Sequence, residues 1–169
     1  MKLNDTTLLK TNALIDGEWV PSDTNDVLPV KNPATGDIIA EVEKSSANQT
    51  KIAINAAADA MEDWKNLPAK ARANLLRIWF ELMITNQEDL AKIMTAEQGK
   101  TLAESRGEIA YGAAFIEWFG EQAKRIDGDI IPAPSQDKRI VCIKQPVGVV
   151  AAITPWNFPN AMITRKLGP

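Results

Sequence analysis

The stretch VGVVAAITPWNFP, Val147 to Pro159, decides the fold class of this chain. Residues 147–154 are small or β-branched on both alternating faces, which is typical of a parallel strand buried between two helical layers. Pro155 and Pro159 then end the strand and make a rigid, extended turn. The stretch predicts an open α/β sheet, in which ligands bind where a strand gives way to a helix.

Asn157, inside this turn, is the candidate catalytic residue. Its side-chain amide offers neutral hydrogen-bond donors, which can stabilise an oxyanion without titrating. Asparagine is also among the best N-cap residues of a helix, and proline is common in the first turn that follows. The residues alone leave both interpretations open, and by position the helix cap is the commoner one.

Phe158, Met162 and Arg165 follow i, i+4, i+7 spacing and share one face of the helix predicted after the turn. Two apolar side chains followed by a guanidinium suit a short apolar substrate that ends in a carboxylate. The alternative is a structural role: Phe158 and Met162 lie in the core, while Arg165 and Lys166 are solvated charges near a helix C-terminus.

The chain before this stretch is expected to begin with β-hairpins. Asp16-Gly17 lies at the centre of ALIDGEWV, residues 13–20, and is a hairpin turn signal. Asn32-Pro33 and Gly36-Asp37 separate two further extended runs. Together these runs predict a small antiparallel sheet.

Three helical segments are predicted next, because the apolar spacing changes to about four residues near Asn48. They cover about 48–67, 69–99 with a restart at Asn86, and 101–125. Gly99 is suited to the left-handed turn that ends the second segment. Apolar residues recur on one face of each of the first two segments, and those of the third are expected to face inward. They are Ile52, Ala56, Ala60 and Trp64 in the first; Leu75, Trp79, Leu82, Met83, Leu90, Ile93 and Met94 in the second; and Leu102, Ile109, Ala113, Ile116 and Phe119 in the third.

Two local features complete this part of the prediction. Thr101 and Glu104 have the spacing of a capping box at the start of the third segment. Residues 127–146 are extended and interrupted by prolines. Cys142, in this extended region, is expected to be a packed side chain and not a nucleophile, because no partner base accompanies it.

Composition excludes several function classes. The chain has 169 residues, of which 19 are basic and 22 acidic without long blocks, so no surface for nucleic acid or an anionic membrane is expected. No run approaches the ~18 apolar residues of a membrane span, and the N-terminus lacks a secretory signal, so the expected location is the cytoplasm. The chain has no histidine, and no metal site is predicted.

At this point the residues resemble a known family. GVVAAITPWNFPNAMITRKLGP is similar to the aldehyde dehydrogenase superfamily signature, in the form found in NAD(P)-dependent succinate-semialdehyde dehydrogenases. The blocks NPATGDIIAEV, MTAEQGKTLAESRGEIAYGAAFIEWFGEQAKRIDGDIIP and DKRIVCIKQPVGV resemble the same family in the same order. The resemblance covers essentially the whole chain.

The resemblance implies an α/β, aldehyde-dehydrogenase-like fold with a Rossmann-type cofactor-binding domain. Residues 1–126 would be the N-terminal part of the NAD(P)-binding domain, a small sheet followed by helices. Residues 127–146 would be an oligomerisation hairpin of a homodimer or homotetramer. Residues 147–169 would hold the first Rossmann strand, the active-site turn and the start of the next helix.

The resemblance also implies a reaction: oxidation of succinate semialdehyde to succinate with NAD or NADP through a covalent thiohemiacetal and thioester. Asn157 would help to stabilise the oxyanion, and Phe158 and Met162 would line the substrate path. Arg165 would bind the substrate carboxylate. The residues implied along the cofactor path are Ile153, Thr154, Pro155 and Trp156.

The family's nucleophilic cysteine and general-base glutamate belong to later motifs that these 169 residues do not contain, so the chain alone is expected to be inactive. Two alternatives stay open. One is a dehydrogenase for glutarate semialdehyde or another aldehyde, because one methylene changes specificity by only ~1 to 3 kcal/mol. The other is a short, non-catalytic interaction module that pairs through its hairpin edge.

Overall fold

The computed structural model describes residues 1–169 and begins with a tight hairpin. Strand β1 (Ala13–Ile15) pairs antiparallel with β2 (Glu18–Val20). Between them Asp16 and Gly17 both have positive φ, at 51° and 78°. Two successive positive φ values fit the twist of a two-residue hairpin, so the predicted turn is confirmed.

A second hairpin follows and forms a separate sheet. Strand β3 (Val27–Lys31) pairs with β4 (Ile38–Glu43), with a register shift between Val30 and Lys31. The expected single sheet is therefore two sheets of two strands each. The backbone N–H of Glu43 donates to the carbonyl of Thr11 at 2.8 Å, which ties the second hairpin to the segment before the first.

Helix α1 (Ala47–Asn66) is capped by Ser46, whose side chain accepts from two backbone amides of the first turn. The helix ends before Pro68, as predicted. Its apolar row is not buried within the chain: Ile52 and Trp64 are 52% and 44% exposed. The reason is position, since α1 packs mainly along β1 and lies at the edge of the helical group.

Helices α2 (Ala69–Thr85) and α3 (Gln87–Gln98) are separated at Asn86, where the restart was predicted. Gly99 ends α3 in the left-handed conformation, with φ of 84°. Most of the apolar residues that share a face of these two helices are at least partly buried, but Leu75 and Leu82 of α2 are about half exposed. The boundaries are therefore confirmed, while the buried face of α2 is narrower than the apolar face of its sequence.

Helix α4 (Leu102–Gln122) is the centre of the fold, since it packs against α2, α3 and the last helix. Both hydrogen bonds of the Thr101 and Glu104 capping box are present, and a 3-10 turn continues the helix over Ala123–Arg125. Two small apolar clusters meet on α4. They contain Met83, Ala113 and Ile116 in the first and Ala91, Met94 and Ile109 in the second.

The third hairpin joins β5 (Asp129–Ile131) to β6 (Ile140–Cys142), and all six strand residues are exposed. Cys142 is a free, exposed thiol. The expectation that it packs is wrong, because neither face of this hairpin is covered by another element of the chain.

Residues 147–154 do not form the predicted buried strand. Val147 and Ile153 are 94% and 86% exposed, and none of the three sheets includes this segment. A strand is defined by hydrogen bonds to a neighbouring strand, and no strand of this chain pairs with these residues. Helix α5 (Pro159–Leu167) follows the turn and packs on α4.

No helix of the structure combines the length and the apolar character needed to cross a bilayer.

Candidate functional site

Helix α5 is brought close to α4 by a contact at Gly112. A Cβ at Gly112 would lie 2.1 Å from Oδ1 of Asn160 and 3.0 Å from Oγ1 of Thr164. Ala161 and Thr164 are buried in the same contact. Because Gly112 has no side chain, α5 approaches α4 closely enough for the turn before it to rest on the α3–α4 connection.

Glu108, on the same face of α4, caps the N-terminus of α5 from outside that helix. Its Oε1 accepts the backbone N–H of Asn160 at 2.9 Å and of Ala161 at 3.3 Å. These amides are among the four at a helix N-terminus that have no partner within the helix. A carboxylate there also interacts favourably with the helix dipole, so Glu108 fixes where α5 begins.

Lys100 links this cap to the turn. Its ammonium pairs with Oε2 of Glu108 and donates to the backbone carbonyl of Asn157 at 3.0 Å. The same ammonium lies 4.4 Å from the ring centroid of Phe158, a cation–π geometry. One cation therefore contacts α4, the turn and the residue that precedes α5.

Asn157 is bound through its backbone and not through its side chain. Its carbonyl also accepts from the Gln98 amide at 3.3 Å. The N-cap of α5 is Phe158, which makes no side-chain cap hydrogen bond, so the interpretation of Asn157 as a helix cap is wrong. The Asn157 side chain has no hydrogen bond within the chain and is exposed, which leaves its amide available to a ligand.

The apolar face of α5 is only partly assembled as predicted. Nη1 of Arg165 lies 3.9 Å from the sulfur of Met162, and its guanidinium carbon lies 5.1 Å from the ring centroid of Phe115 on α4. Phe158 is 42% exposed and pairs with Lys100, so it is not a core residue. Met162 and Arg165 are therefore neighbours, whereas Phe158 belongs to the turn.

A cavity of about 380 Å³ opens beside Arg165, and aromatic rings make most of its wall. An apolar cavity with one guanidinium at its edge fits a small molecule that carries an anionic group. The residues that line it are Tyr111, Ala114, Phe115, Trp118, Phe119 and Arg165.

The four residues implied along a cofactor path lie at the start of the turn. Ile153 and Trp156 are 86% and 81% exposed, so nothing in the chain covers them. An uncovered edge with two apolar side chains and a rigid Pro155 fits the wall of a site for a flat nucleotide ring. The residues present are thus compatible with a bound nicotinamide cofactor.

Lys100 and Glu108, which place the turn, were not predicted from the sequence. One signal for Glu108 was available: it adjoins Ile109 and precedes Gly112 by one turn, on the buried face of α4. A carboxylate on a buried face needs a partner, which could have prompted a search for a cation. Lys100 gave no comparable signal, since a lysine after a helix-ending glycine is ordinary.

Comparison with known proteins identifies the family of this chain. The model of the aldehyde dehydrogenase family matches residues 19–169. The chain is 60% identical to a glutarate-semialdehyde dehydrogenase of Pseudomonas aeruginosa and 57% identical to the NADP(+) succinate-semialdehyde dehydrogenase of Escherichia coli K12, in both cases over all of this chain and 35% of the relative. It therefore spans about a third of the length of these curated relatives.

A solved structure supports the same assignment. The crystal structure of an NADP-dependent enzyme of E. coli superposes with a TM-score of 0.97 at 56% identity, covering 99% of this chain and 35% of that one. On the family match, the sequence identity and the superposition, this chain belongs to the aldehyde dehydrogenase family.

Proposed function

We propose that the chain is the N-terminal part of an NAD(P)-dependent dehydrogenase that oxidises succinate semialdehyde to succinate. The observation that carries the proposal is at Asn157. Its backbone carbonyl takes both intrachain donors, while its side-chain amide stays free to stabilise a developing oxyanion. The two named relatives, which act on succinate and glutarate semialdehyde, support an aldehyde with an anionic end.

In this proposal Arg165 binds the carboxylate of the substrate, and Phe158 and Met162 contact its carbon chain. A guanidinium can bind a carboxylate through two parallel hydrogen bonds. Such a charge-assisted bond contributes ~1.5 to 3 kcal/mol, which corresponds to one to two decades of preference over a neutral aldehyde.

The cofactor is proposed to be NAD or NADP, lying along Ile153, Thr154, Pro155 and Trp156. When bound, it would accept the hydride removed from the aldehyde carbon. The named E. coli relative uses NADP(+), which supports this cofactor class. We further propose that the enzyme works in the cytoplasm and that the β5–β6 hairpin contributes to a homo-oligomer.

The test is substitution of Asn157 in the complete reading frame that contains this sequence. Asn157→Ala should lower kcat with succinate semialdehyde by about 10²- to 10³-fold, as loss of one oxyanion donor does. Asn48→Ala, at an exposed position of α1, is the matched control and should leave kcat unchanged. An Asn157→Ala enzyme with normal turnover would remove Asn157 from the oxyanion role.

Glutarate semialdehyde is a second candidate substrate, favoured by the 60% identity to the P. aeruginosa enzyme. One methylene in an apolar pocket changes specificity by ~1 to 3 kcal/mol. Comparison of kcat/KM for the two semialdehydes decides between them, and a ratio above about 10 identifies the preferred one.

The 169-residue chain on its own is proposed to be inactive, because it contains neither the family's cysteine motif nor its glutamate motif, and its single cysteine, Cys142, lies in the β5–β6 hairpin. Formation of NAD(P)H by the purified chain with succinate semialdehyde would contradict this. A non-catalytic interaction module is the less favoured alternative, since it would leave Val147 and Ile153 uncovered. Uniform amide protection over residues 147–169 of the isolated chain would support the module.

A further inference from the structure

We infer that Lys100 and Glu108 are positioning residues for Asn157: their ion pair sets the place of the turn from which the Asn157 amide reaches the oxyanion. This inference rests on the function proposed above for Asn157. Neither side chain need contact the substrate. Their effect is transmitted through the backbone of residues 157–161.

The first support is that the pair is almost fully removed from water. Only 13% of the Lys100 side chain and 1% of the Glu108 side chain are exposed. A desolvated charge pair is favourable only when each partner is in place and its remaining hydrogen bonds are made. Both conditions are met, so the pair favours a single arrangement of the backbone segment to which it is hydrogen-bonded, residues 157–161.

The second support is where the remaining hydrogen bonds go. Lys100 donates to the carbonyl of Asn157, and Glu108 accepts the amides of Asn160 and Ala161. The pair therefore holds the backbone by hydrogen bonds on both sides of Phe158 and Pro159. Because these hydrogen bonds fix both the Asn157 carbonyl and the start of α5, the backbone from which the Asn157 side chain extends has a defined position.

Catalysis makes this precision useful. An oxyanion donor acts only when it is about 2.7 to 3.1 Å from the oxygen that becomes charged. A displacement of about 1 Å by a distant mutation can lower a rate about 10²-fold. Loss of the Lys100 side chain would leave the residues of the turn unchanged but would remove the hydrogen bond from Lys100 to the Asn157 carbonyl.

A second ion pair on the same helix provides the matched control. Arg106 of α4 makes two hydrogen bonds to Glu88, at 2.7 and 2.9 Å, and contacts no residue of the turn. Both partners of this pair are about half exposed. Arg106→Met therefore removes a cation and an ion pair from α4 without touching residues 157–161.

The kinetic test uses the complete enzyme. Lys100→Met should lower kcat for succinate semialdehyde by about 10- to 100-fold, as loss of a group that orients a catalytic residue does, with KM for the cofactor unchanged. Lys100→Arg keeps the charge and should recover part of kcat, and Arg106→Met should match the wild type. Normal turnover in Lys100→Met would overturn the inference.

A double-mutant cycle with Asn157→Ala separates positioning from general stability. If Lys100 acts through Asn157, Lys100→Met should lower kcat by less than about twofold once Asn157 is alanine, because coupled residues are not additive. An equal loss in both backgrounds would show that Lys100 acts elsewhere and would overturn the inference.

Amide hydrogen exchange tests the geometric step independently of activity. In Lys100→Met and Glu108→Gln, the amides of Asn160 and Ala161 should exchange at least about tenfold faster than in the wild type, and Arg106→Met should not change them. If the wild-type enzyme were inactive but the two variants still showed faster exchange, the proposed reaction would be contradicted. The role of Lys100 and Glu108 in holding the turn would not be. Unchanged exchange in both variants would show that Lys100 and Glu108 do not hold the start of α5, and would overturn the inference.

Discussion

Gly112 of α4 lies directly against Asn160 of α5, so close that a Cβ at Gly112 would lie 2.1 Å from the Asn160 side-chain oxygen. Oδ1 of Asn160 is also buried without a hydrogen-bond partner in the chain. It has little room to move, since Thr164 closes the other side of the contact. The absence of a side chain at Gly112 therefore determines how closely the helix that carries Arg165 approaches α4.

Gly112→Ala should destabilise the protein. The added methyl must displace Asn160 or the whole of α5, and overpacking of this kind costs about 1 to 3 kcal/mol. Part of that cost is offset by the better helix propensity of alanine, about 1 kcal/mol. Urea unfolding followed by circular dichroism would measure the net loss.

Gly107→Ala is the matched control for that substitution. Gly107 lies in the same helix, and a Cβ there would meet nothing within 4 Å. Only the gain in helix propensity remains, so the free energy of unfolding should rise by about 0.5 to 1 kcal/mol. Equal effects at Gly107 and Gly112 would show that the contact with Asn160 is not tight.

Gly99→Ala should lower the free energy of unfolding more than Gly36→Ala does, although both glycines have positive φ. Their φ values are 84° and 80°, so alanine is strained at each by roughly 1 to 2 kcal/mol. At Gly99 a Cβ would also lie 2.7 Å from the Pro33 ring, whereas at Gly36 it would meet nothing. The difference between the losses of unfolding free energy in the two variants measures the cost of the clash with Pro33. Equal losses would show that Pro33 does not restrict a side chain at position 99.

Asp89 should give the protein part of its stability at neutral pH. Its carboxylate accepts the backbone N–H groups of Asp5 and Asn4 at 2.8 and 2.7 Å and pairs with Lys92. The backbone hydrogen bond from Asp5, followed by the hydrogen bond from Lys92, holds the pKa of Asp89 below its ordinary value of 3.8. A carboxyl group whose pKa is lowered in the folded state stabilises the fold at pH values above its ordinary pKa. This stabilisation is lost as the pH falls through the pKa of the folded state.

The measurement for Asp89 is the urea midpoint as a function of pH. Asp89→Asn should lower the midpoint near neutral pH and should converge with the wild type in strong acid, where both side chains are neutral. Asp63→Asn, at an exposed position of α1, is the control and should follow the wild type throughout. Parallel curves for Asp89→Asn and the wild type at every pH would contradict the prediction.

Local signals in the sequence were sufficient for most of the element boundaries. The Asp16-Gly17 turn, the Gly99 end of α3 and the Thr101–Glu104 capping box each depend on residues within a few positions of one another. Short-range chemistry of this kind is present in the sequence itself. These features were therefore predictable without knowledge of the packing.

What the sequence could not supply depends on contacts between distant residues. The apolar run of residues 147–154 has the pattern of a buried strand, but a strand also needs a neighbouring strand, and none pairs with it here. The link from Lys100 to Asn157 joins residues 57 positions apart, and the cap of Ala161 by Glu108 joins residues 53 apart. No local propensity encodes such pairs, so only the folded chain reveals them.

Arg165→Ala, made in the complete enzyme, should raise KM for succinate semialdehyde by about 10- to 100-fold and leave neutral aldehydes nearly unaffected. The reason is that the guanidinium, at the edge of the cavity beside Phe115, is proposed to bind only the carboxylate. Lys166→Ala removes the neighbouring exposed charge and should change neither KM. Steady-state kinetics with succinate semialdehyde and a short neutral aldehyde gives both values, and equal losses on the two substrates would exclude Arg165 as the carboxylate ligand.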